Sequence, residues 1–473
     1  MRTGRIHLLG TALCAALIGS GCAASTERTG SVPESARLAP ADALAFVTVL
    51  TDDSSEQWQN AERLLSLFPD ARTELFGTVR TELTESDLTW KDDLAPALGD
   101  ELVVVVSADR KPVLLVQPES TEALAALIAE SKEPVVQGAV SDWTALAETQ
   151  ADLDAYRNAL NRGTLEGVDA FEEAMTELPS EALVRGWADL RSIASDVASA
   201  LQQSTVEEAL GVDWLAAAIA AEEDGVFLSV GVKTPEGNGS SYEPELFARV
   251  PADAVAALSF GGTQGALDQI EGAVDVDAIS SALEDAVGVS LDGIVEALSG
   301  EGLAYVREGG AEIPEVTLVL APPDTAEAFE NVDRIARRLA QQADAEVRTR
   351  TDGALTVNEL QVEGVSLTYA KLDDAVIATT GPTGIADFLG DGAKLTDAEA
   401  FMTAADRVEL GDRTRGFAYI DVDGLIPLVE SLAGPNAVPA EARDALGAVD
   451  SFILQASGDG ETTTLSGFLS VPR

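Results

Sequence analysis

Few of the residue types that carry out chemistry are present in this chain. Its one histidine, His7, and its two cysteines, Cys14 and Cys22, all lie in the first 22 residues. Beyond Cys22 there is no imidazole and no thiol. That excludes Ser-His-Asp and Cys-His nucleophile systems, His- or Cys-ligated zinc, and the commonest general base near neutral pH. Carboxylates remain in abundance, 81 Asp and Glu in all. A pair of them flanking a glycosidic bond is the reaction this stock of residues could run. Glycan sites usually present exposed aromatics, however. Here only 5% of residues are aromatic, and no Trp follows Trp214.

Several short patterns invite a binding role, and each has a simpler structural reading. Asp421-x-Asp423-Gly424 and Asp275-x-Asp277 resemble the start of a calcium loop but lack its later acids and terminal Glu. Each stands where a helix is predicted to begin, and Asp is a preferred N-cap. Gly261-Gly262-Thr263-Gln264-Gly265 follows a strand and enters a helix, where backbone N–H groups can hold phosphate. It has no Gly-Lys-Ser/Thr ending, and a capped turn accounts for it and for Thr51-Asp52-Asp53-Ser54-Ser55. Arg185 and Arg415 each precede Gly and an aromatic. An ion pair across the sheet is the expectation for them, ahead of a ligand carboxylate. Trp58, Trp90, Trp143, Trp187 and Trp214 are expected in a core, with an apolar cleft as the alternative. No metal and no cofactor is expected.

The amino terminus reads MRTGRIHLLGTALCAALIGSGC. Arg2 and Arg5 give a cationic start, and Leu8 to Ile18 form an apolar run. That run is shorter than the ~20 residues of a spanning helix and fits a secretory signal. Its end, Gly19-Ser20-Gly21-Cys22, resembles the bacterial lipobox, with Gly19 where Leu is usual. The resemblance implies removal of residues 1–21 and acylation of Cys22. More than one acyl chain would hold the protein firmly to a membrane. Residues 22–37, rich in Ser, Thr and small residues, are expected to form a flexible tether.

Charge narrows the partners. The net charge is −51, and cleavage before Cys22 would remove two arginines and no acid. Such a field repels nucleic-acid phosphate, so nucleic acid is excluded as a partner. The acids are spread along the chain, which reads as a solvated surface. The hydrophobic fraction of 46% supports real cores. No later segment is long and apolar enough to span a bilayer; Leu215–Ala221 comes nearest and is too short.

The elements that would position these residues occur twice. Pro40-Ala41-Asp42-Ala43 recurs as Pro251-Ala252-Asp253-Ala254, each ahead of a strand-like stretch. Leu98-Gly99-Asp100-Glu101-Leu102 has a counterpart at Leu298 to Leu303, and Val113 to Pro118 has one at Thr317 to Pro322. Phe171 and Trp187 are 16 residues apart, as are Phe401 and Phe417. These matches keep their order, which predicts two copies of one unit at 38–235 and 247–473, joined by a linker at 236–246. Each copy is predicted to open on a strand, pass through helices to a hairpin, and close on a strand near Val226–Val232 or Leu465–Val471. Gln342 to Val362 alternates around Asp352-Gly353, which predicts an extra hairpin in the second copy. Short loops between strands favour an α+β fold, a mainly antiparallel sheet covered by helices on one face.

With these residues in view, the chain resembles the DUF3352 family. The shared features are Pro-Ala-Asp-Ala-Leu before a strand, a Trp-containing helix ending in Leu67-Phe68-Pro69, Gly-Asp-Glu-Leu before a valine strand, and Leu165-x₅-Phe171 before Arg185-Gly186-Trp187. The resemblance spans roughly Leu38 to Val471 and implies a membrane-anchored or lipoprotein chain of the bacterial envelope. It implies no catalytic residues. The expected function is that of an extracytoplasmic lipoprotein that acts as a non-enzymatic binding or scaffold protein of the cell envelope. Its partners would be the membrane, through Cys22, and an apolar ligand or envelope protein. A carboxylate-dependent glycan hydrolase is the alternative.

Overall fold

The computed structural model describes residues 30–68, 89–131, 133–193, 212–234, 241–262, 288–309, 313–362, 365–434, 437–458 and 460–472. Residues 1–29, with Cys22 among them, lie outside these, as do Asp275 and Asp277. The fold is α+β, with antiparallel sheets and helices packed on them. No described helix is long and apolar enough to cross a membrane. The chain forms two compact units, Met1–Glu236 with Glu461–Val471, and Gly237–Gly460.

In the first unit, β1 (Ala45–Leu50) lies at the centre of the sheet, paired antiparallel with β2 (Glu101–Val106) on one side and β6 (Val184–Asp189) on the other. Beyond β2 come β3 (Pro112–Val116), β5 (Trp143–Ala147) and β4 (Val136–Val140). Beyond β6 come β7 (Trp214–Ala221), β8 (Gly225–Lys233) and β18 (Thr462–Ser470). The closing strand expected in the second unit is thus bonded along its length to β8 of the first. Its Leu469 and Val471 pack into the first unit's core. An edge strand exposes a row of unpaired backbone groups, and β18 removes that edge from β8.

Both faces of this sheet are covered, where cover on one was expected. Alternate residues point to opposite faces. Phe46, Val105 and Trp187 face α4 (Gln150–Leu160) and α5 (Asp169–Thr176), which contribute Leu153, Tyr156, Phe171 and Met175. Val49, Leu102 and Val184 face α1 (Glu56–Leu67), α2 (Ala95–Leu98) and α3 (Thr121–Glu130), through Trp58, Leu64, Ala97 and Leu124. Double cover explains β7. Its run Leu-Ala-Ala-Ala-Ile-Ala-Ala favours a helix by propensity, yet a strand buried between two layers has room for small side chains on both faces.

Residues 30–37, expected in the tether, belong to this core. Glu34–Leu38 form a 3-10 turn in which Ser35, Ala36 and Leu38 are buried, and Val32 packs against the cluster. The Tyr156 hydroxyl, deep in that layer, donates to the Leu38 carbonyl.

The second unit pairs its strands in the same order. β9 (Ala254–Gly261) lies between β10 (Glu301–Arg307) and β16 (Gly416–Asp421). β11 (Glu315–Ala321) and β15 (Val376–Thr379) follow β10, and β17 (Ser451–Ser457) follows β16. β14 (Val365–Lys371) pairs with β15 and extends the sheet through the hairpin of β13 (Leu355–Val362) and β12 (Val347–Asp352). The Asp352-Gly353 signal is thus borne out; Gly353 takes φ +62° in the turn. The described helices here are α6 (Leu291–Leu298), α7 (Thr325–Gln342), α8 (Gly384–Leu389), α9 (Glu399–Arg407), α10 (Val422–Ala433) and α11 (Ala440–Leu446).

Two ring pairs at the same sequence spacing, Phe171–Trp187 and Phe401–Phe417, are close in space, at 5.4 and 6.5 Å. Phe171 meets Phe46 and Trp187 edge to face at 5.3 and 5.4 Å. Phe401 lies 6.5 Å from Phe417 and 5.2 Å from Tyr419. Gly99, at φ +77°, and Gly300 each precede the second strand of their unit. A Cβ there would come within 2.0 Å of the Gln117 carbonyl and 1.9 Å of the Ala321 carbonyl respectively. We expect Phe171→Ala to destabilise the first unit by about 3–5 kcal/mol, since it empties a fully buried site. Urea unfolding measures this; a loss within the noise would mean the ring cluster does not hold the layer.

Candidate functional site

The chemically distinctive groups gather at strand ends. Arg185, at the start of β6, is 5% exposed. Its Nη2 donates to the Ser31 carbonyl at 2.7 Å and the Met175 carbonyl at 2.9 Å. Burial pulls the guanidinium down to about 10, with the Glu101 charge opposing. The expected ion pair is therefore an electrostatic contact with Glu101, while the hydrogen bonds go to backbone. Arg415 departs from its counterpart: it lies ahead of β16, and its Nη2 donates to the Gly460 carbonyl on the exposed side.

Glu101 and Glu301 occupy matched positions at the first residue of β2 and of β10, which sequence reasoning passed over as mere motif residues. Glu101 accepts from the Ser35 hydroxyl at 3.1 Å, and Glu301 accepts from the Leu246 N–H at 2.7 Å. Each carboxylate ties down the segment that enters its unit. Burial raises Glu101, opposed by the Ser35 bond and Arg185. Burial pushes Glu301 up to about 7, opposed by N–H bonds from Leu246 and Glu245.

A third cluster has no counterpart in the sequence reading. Arg307 ends β10 and Glu315 begins β11, and the side chains of both are more than nine-tenths buried. Arg307 Nε donates to Glu315 Oε1 at 2.7 Å, and its Nη2 reaches Asp387 on α8 and, at 3.3 Å, the Thr383 hydroxyl. Thr383 in turn donates to Asp387 at 2.7 Å. Glycines make room for this. A Cβ on Gly381 would fall 1.6 Å from Glu315 Oε2, and one on Gly384 would fall 2.8 Å from Oε1. Burial raises Glu315 against the pull of Arg307, whereas the Arg307 bond holds Asp387 low. The only sequence signal was Gly381-Pro382-Thr383-Gly384, which marks a turn but names no buried acid.

The remaining candidates take their structural readings. Asp421 caps α10, accepting from the Gly424 N–H at 3.3 Å. With Asp423 it raises Asp450, whose main cause is burial. No group of three or more metal-ligating side chains converges among the described residues. Gly261 ends β9 and Gly262 follows it, while 263–265 lie outside the described residues. The turn at Thr51–Ser55 is a cap: Asp52 accepts from Ser54, and the Ser55 hydroxyl accepts from the Trp58 N–H. Trp143, Trp187 and Trp214 are in one core layer and Trp58 in the other. Trp90 is partly buried against Trp58, with ring centroids 4.7 Å apart.

No family model and no curated protein matches this chain. A solved structure titled "Structure of crystal form III of TP0453" aligns with 47% of this chain and 93% of its own length, at 11% identity and a TM-score of 0.24. A likeness that slight carries no argument about fold or function.

Two expectations follow. Arg307→Met leaves a buried, uncompensated carboxylate and costs the second unit about 3–5 kcal/mol, while adding Glu315→Gln recovers most of it. Urea midpoints of the single and double variants decide; equal losses in both would show that the cost of Arg307→Met does not come from a stranded Glu315 carboxylate. Glu301 sets a pH dependence. Its folded value of about 7 exceeds the ordinary 4.5, so between these the folded chain binds the extra proton. Its contribution is present below about 4.5 and is lost as pH rises through about 7. Glu301→Gln should flatten that part of the stability–pH curve, and an unchanged slope would show that the carboxylate is not its source.

Proposed function

We propose that this chain is a lipid-anchored protein of the bacterial envelope, held through Cys22 on the extracytoplasmic face of a membrane. Its ectodomain is two copies of one α+β unit that binds or scaffolds and runs no reaction. The observation that carries the non-enzymatic reading is where the perturbed charges are spent. Arg185 grips backbone carbonyls, Glu101 and Glu301 hold entering segments, and Arg307 bridges Glu315 and Asp387. Each of these groups fastens one part of the fold to another. A glycan hydrolase needs an acid with a raised pKa that is free to meet substrate. Glu101, Glu301 and Glu315 are raised but are taken up by Ser35, by the Leu246 N–H and by Arg307. Asp450, raised by burial beside Asp421 and Asp423, is the acid whose substitution tests the alternative. The shared strand order and the two ring pairs at the same spacing support the duplication, and the motifs shared with the DUF3352 family support the envelope setting.

Native mass spectrometry of the protein extracted from its own membrane tests this, with the Cys22 peptide identified in the same sample. The expected result is an acylated Cys22, accompanied by a bound ligand mass or a protein partner. A free Cys22 thiol in the mature chain would overturn the anchor. Saturable turnover of a hydrolase substrate, abolished by one carboxylate substitution, would overturn the non-enzymatic reading.

A further inference from the structure

The grip on residues 30–31 has a geometric consequence for where the first unit works. Ser31 is fixed by Arg185, and the Gly30 N–H donates to the Thr176 carbonyl at 3.2 Å. Gly30 is wedged so tightly that a Cβ would lie 2.1 Å from the Leu178 carbonyl and 2.5 Å from that of Met175. Val32, Ser35, Ala36 and Leu38 then run into the core. The segment that composition marks as a tether is therefore consumed by the fold from Gly30 onward. Only residues 23–29 separate Cys22 from the clasp. An extended chain gains at most ~3.6 Å per residue, so the clasp lies within about 29 Å of Cys22.

We propose that Arg185 sets a short leash, so that the first unit operates at the surface of the membrane that holds Cys22. This inference rests on the lipid anchor proposed above. It keeps the Arg185 end of the unit close to that membrane surface. The part of the unit held there is the end of the sheet where β1 finishes and β2 and β6 begin. Arg185, Glu101 and the carboxyl end of α5 are at that end. Arg185 acts here as a positioning residue. Its buried guanidinium donates to carbonyls of two segments far apart in sequence, and an alanine in its place would take the donor from the Ser31 carbonyl, while the Met175 carbonyl keeps the Leu178 N–H.

Energy transfer in vesicles tests the leash. The full lipidated chain is labelled at Ser180→Cys, an exposed site two residues past Leu178. It is reconstituted into phosphatidylethanolamine–phosphatidylglycerol vesicles carrying a headgroup-linked acceptor. The parent should show strong transfer. A flexible Gly/Ser insertion of about twenty residues after Ala24, which leaves the folded unit untouched, should cut it severalfold. Arg185→Ala should cut it by less, because it releases only the stretch between Gly30 and the 3-10 turn. Transfer that ignores the insertion would overturn the short leash, and loss with the insertion but none with Arg185→Ala would overturn the role of Arg185. Failure of the chain to float with vesicles, together with an unacylated Cys22 peptide, would instead remove the anchor on which the inference rests.

Discussion

The rest of the structure depends on the constraint that a strand flanked on both sides, in a sheet with helices on both faces, leaves no polar group free to meet water. In the first unit β1 is that strand. Its backbone groups are satisfied by β2 and β6, and its alternate side chains must enter two separate apolar layers. Phe46 enters one and Val49 the other. The helices before β2 and after β5 therefore serve different faces, which is why the chain keeps switching between periods of two and of 3.6. Alanine-rich β7 survives as a strand under the same constraint.

Charge enters these sheets at the ends of strands. Glu101, Glu301, Arg185, Arg307 and Glu315 all sit within a residue or so of a strand terminus. Their partners are segments that would otherwise have no reason to stay: the 3-10 turn at Glu34–Leu38, the stretch at Leu246, and the start of α8. Desolvation makes these contacts costly to break, so they serve specificity of placement more than net stability. No imidazole or thiol competes for this role in the described chain.

Much of the fold was legible because alternation and helical spacing are local. Strand and helix positions among the described residues of 45–176 and 316–407 follow from apolar period and caps; a helix expected at 75–83 lies outside the described residues. Phe171, Trp187, Phe401 and Phe417 were legible as core because their spacing repeats. Three things were not legible. β7 was hidden because alanine carries no β signal. The exchange of β18 into the first unit was hidden because strand partners are chosen by tertiary packing, which sequence order does not record. The Arg307–Glu315–Asp387 cluster was hidden because its members are up to 80 residues apart and an isolated acid reads as surface. The tether, too, was misjudged past Gly30, since small residues that suit a flexible linker also suit a crowded contact.

The segment from Gly30 and the strand β18 are thus both fastened to the first unit, the one by Arg185 and the other by β8. That closure is the account's central claim about how the chain is organised. Hydrogen–deuterium exchange across β8, Gly225–Lys233, tests it most directly. If β18 is paired there, successive β8 amides are protected on both sides, at the level of β1. If every second amide of β8 exchanges at the rate of an exposed sheet edge, β18 is not bonded to it, and the closure of the first unit by that strand is wrong.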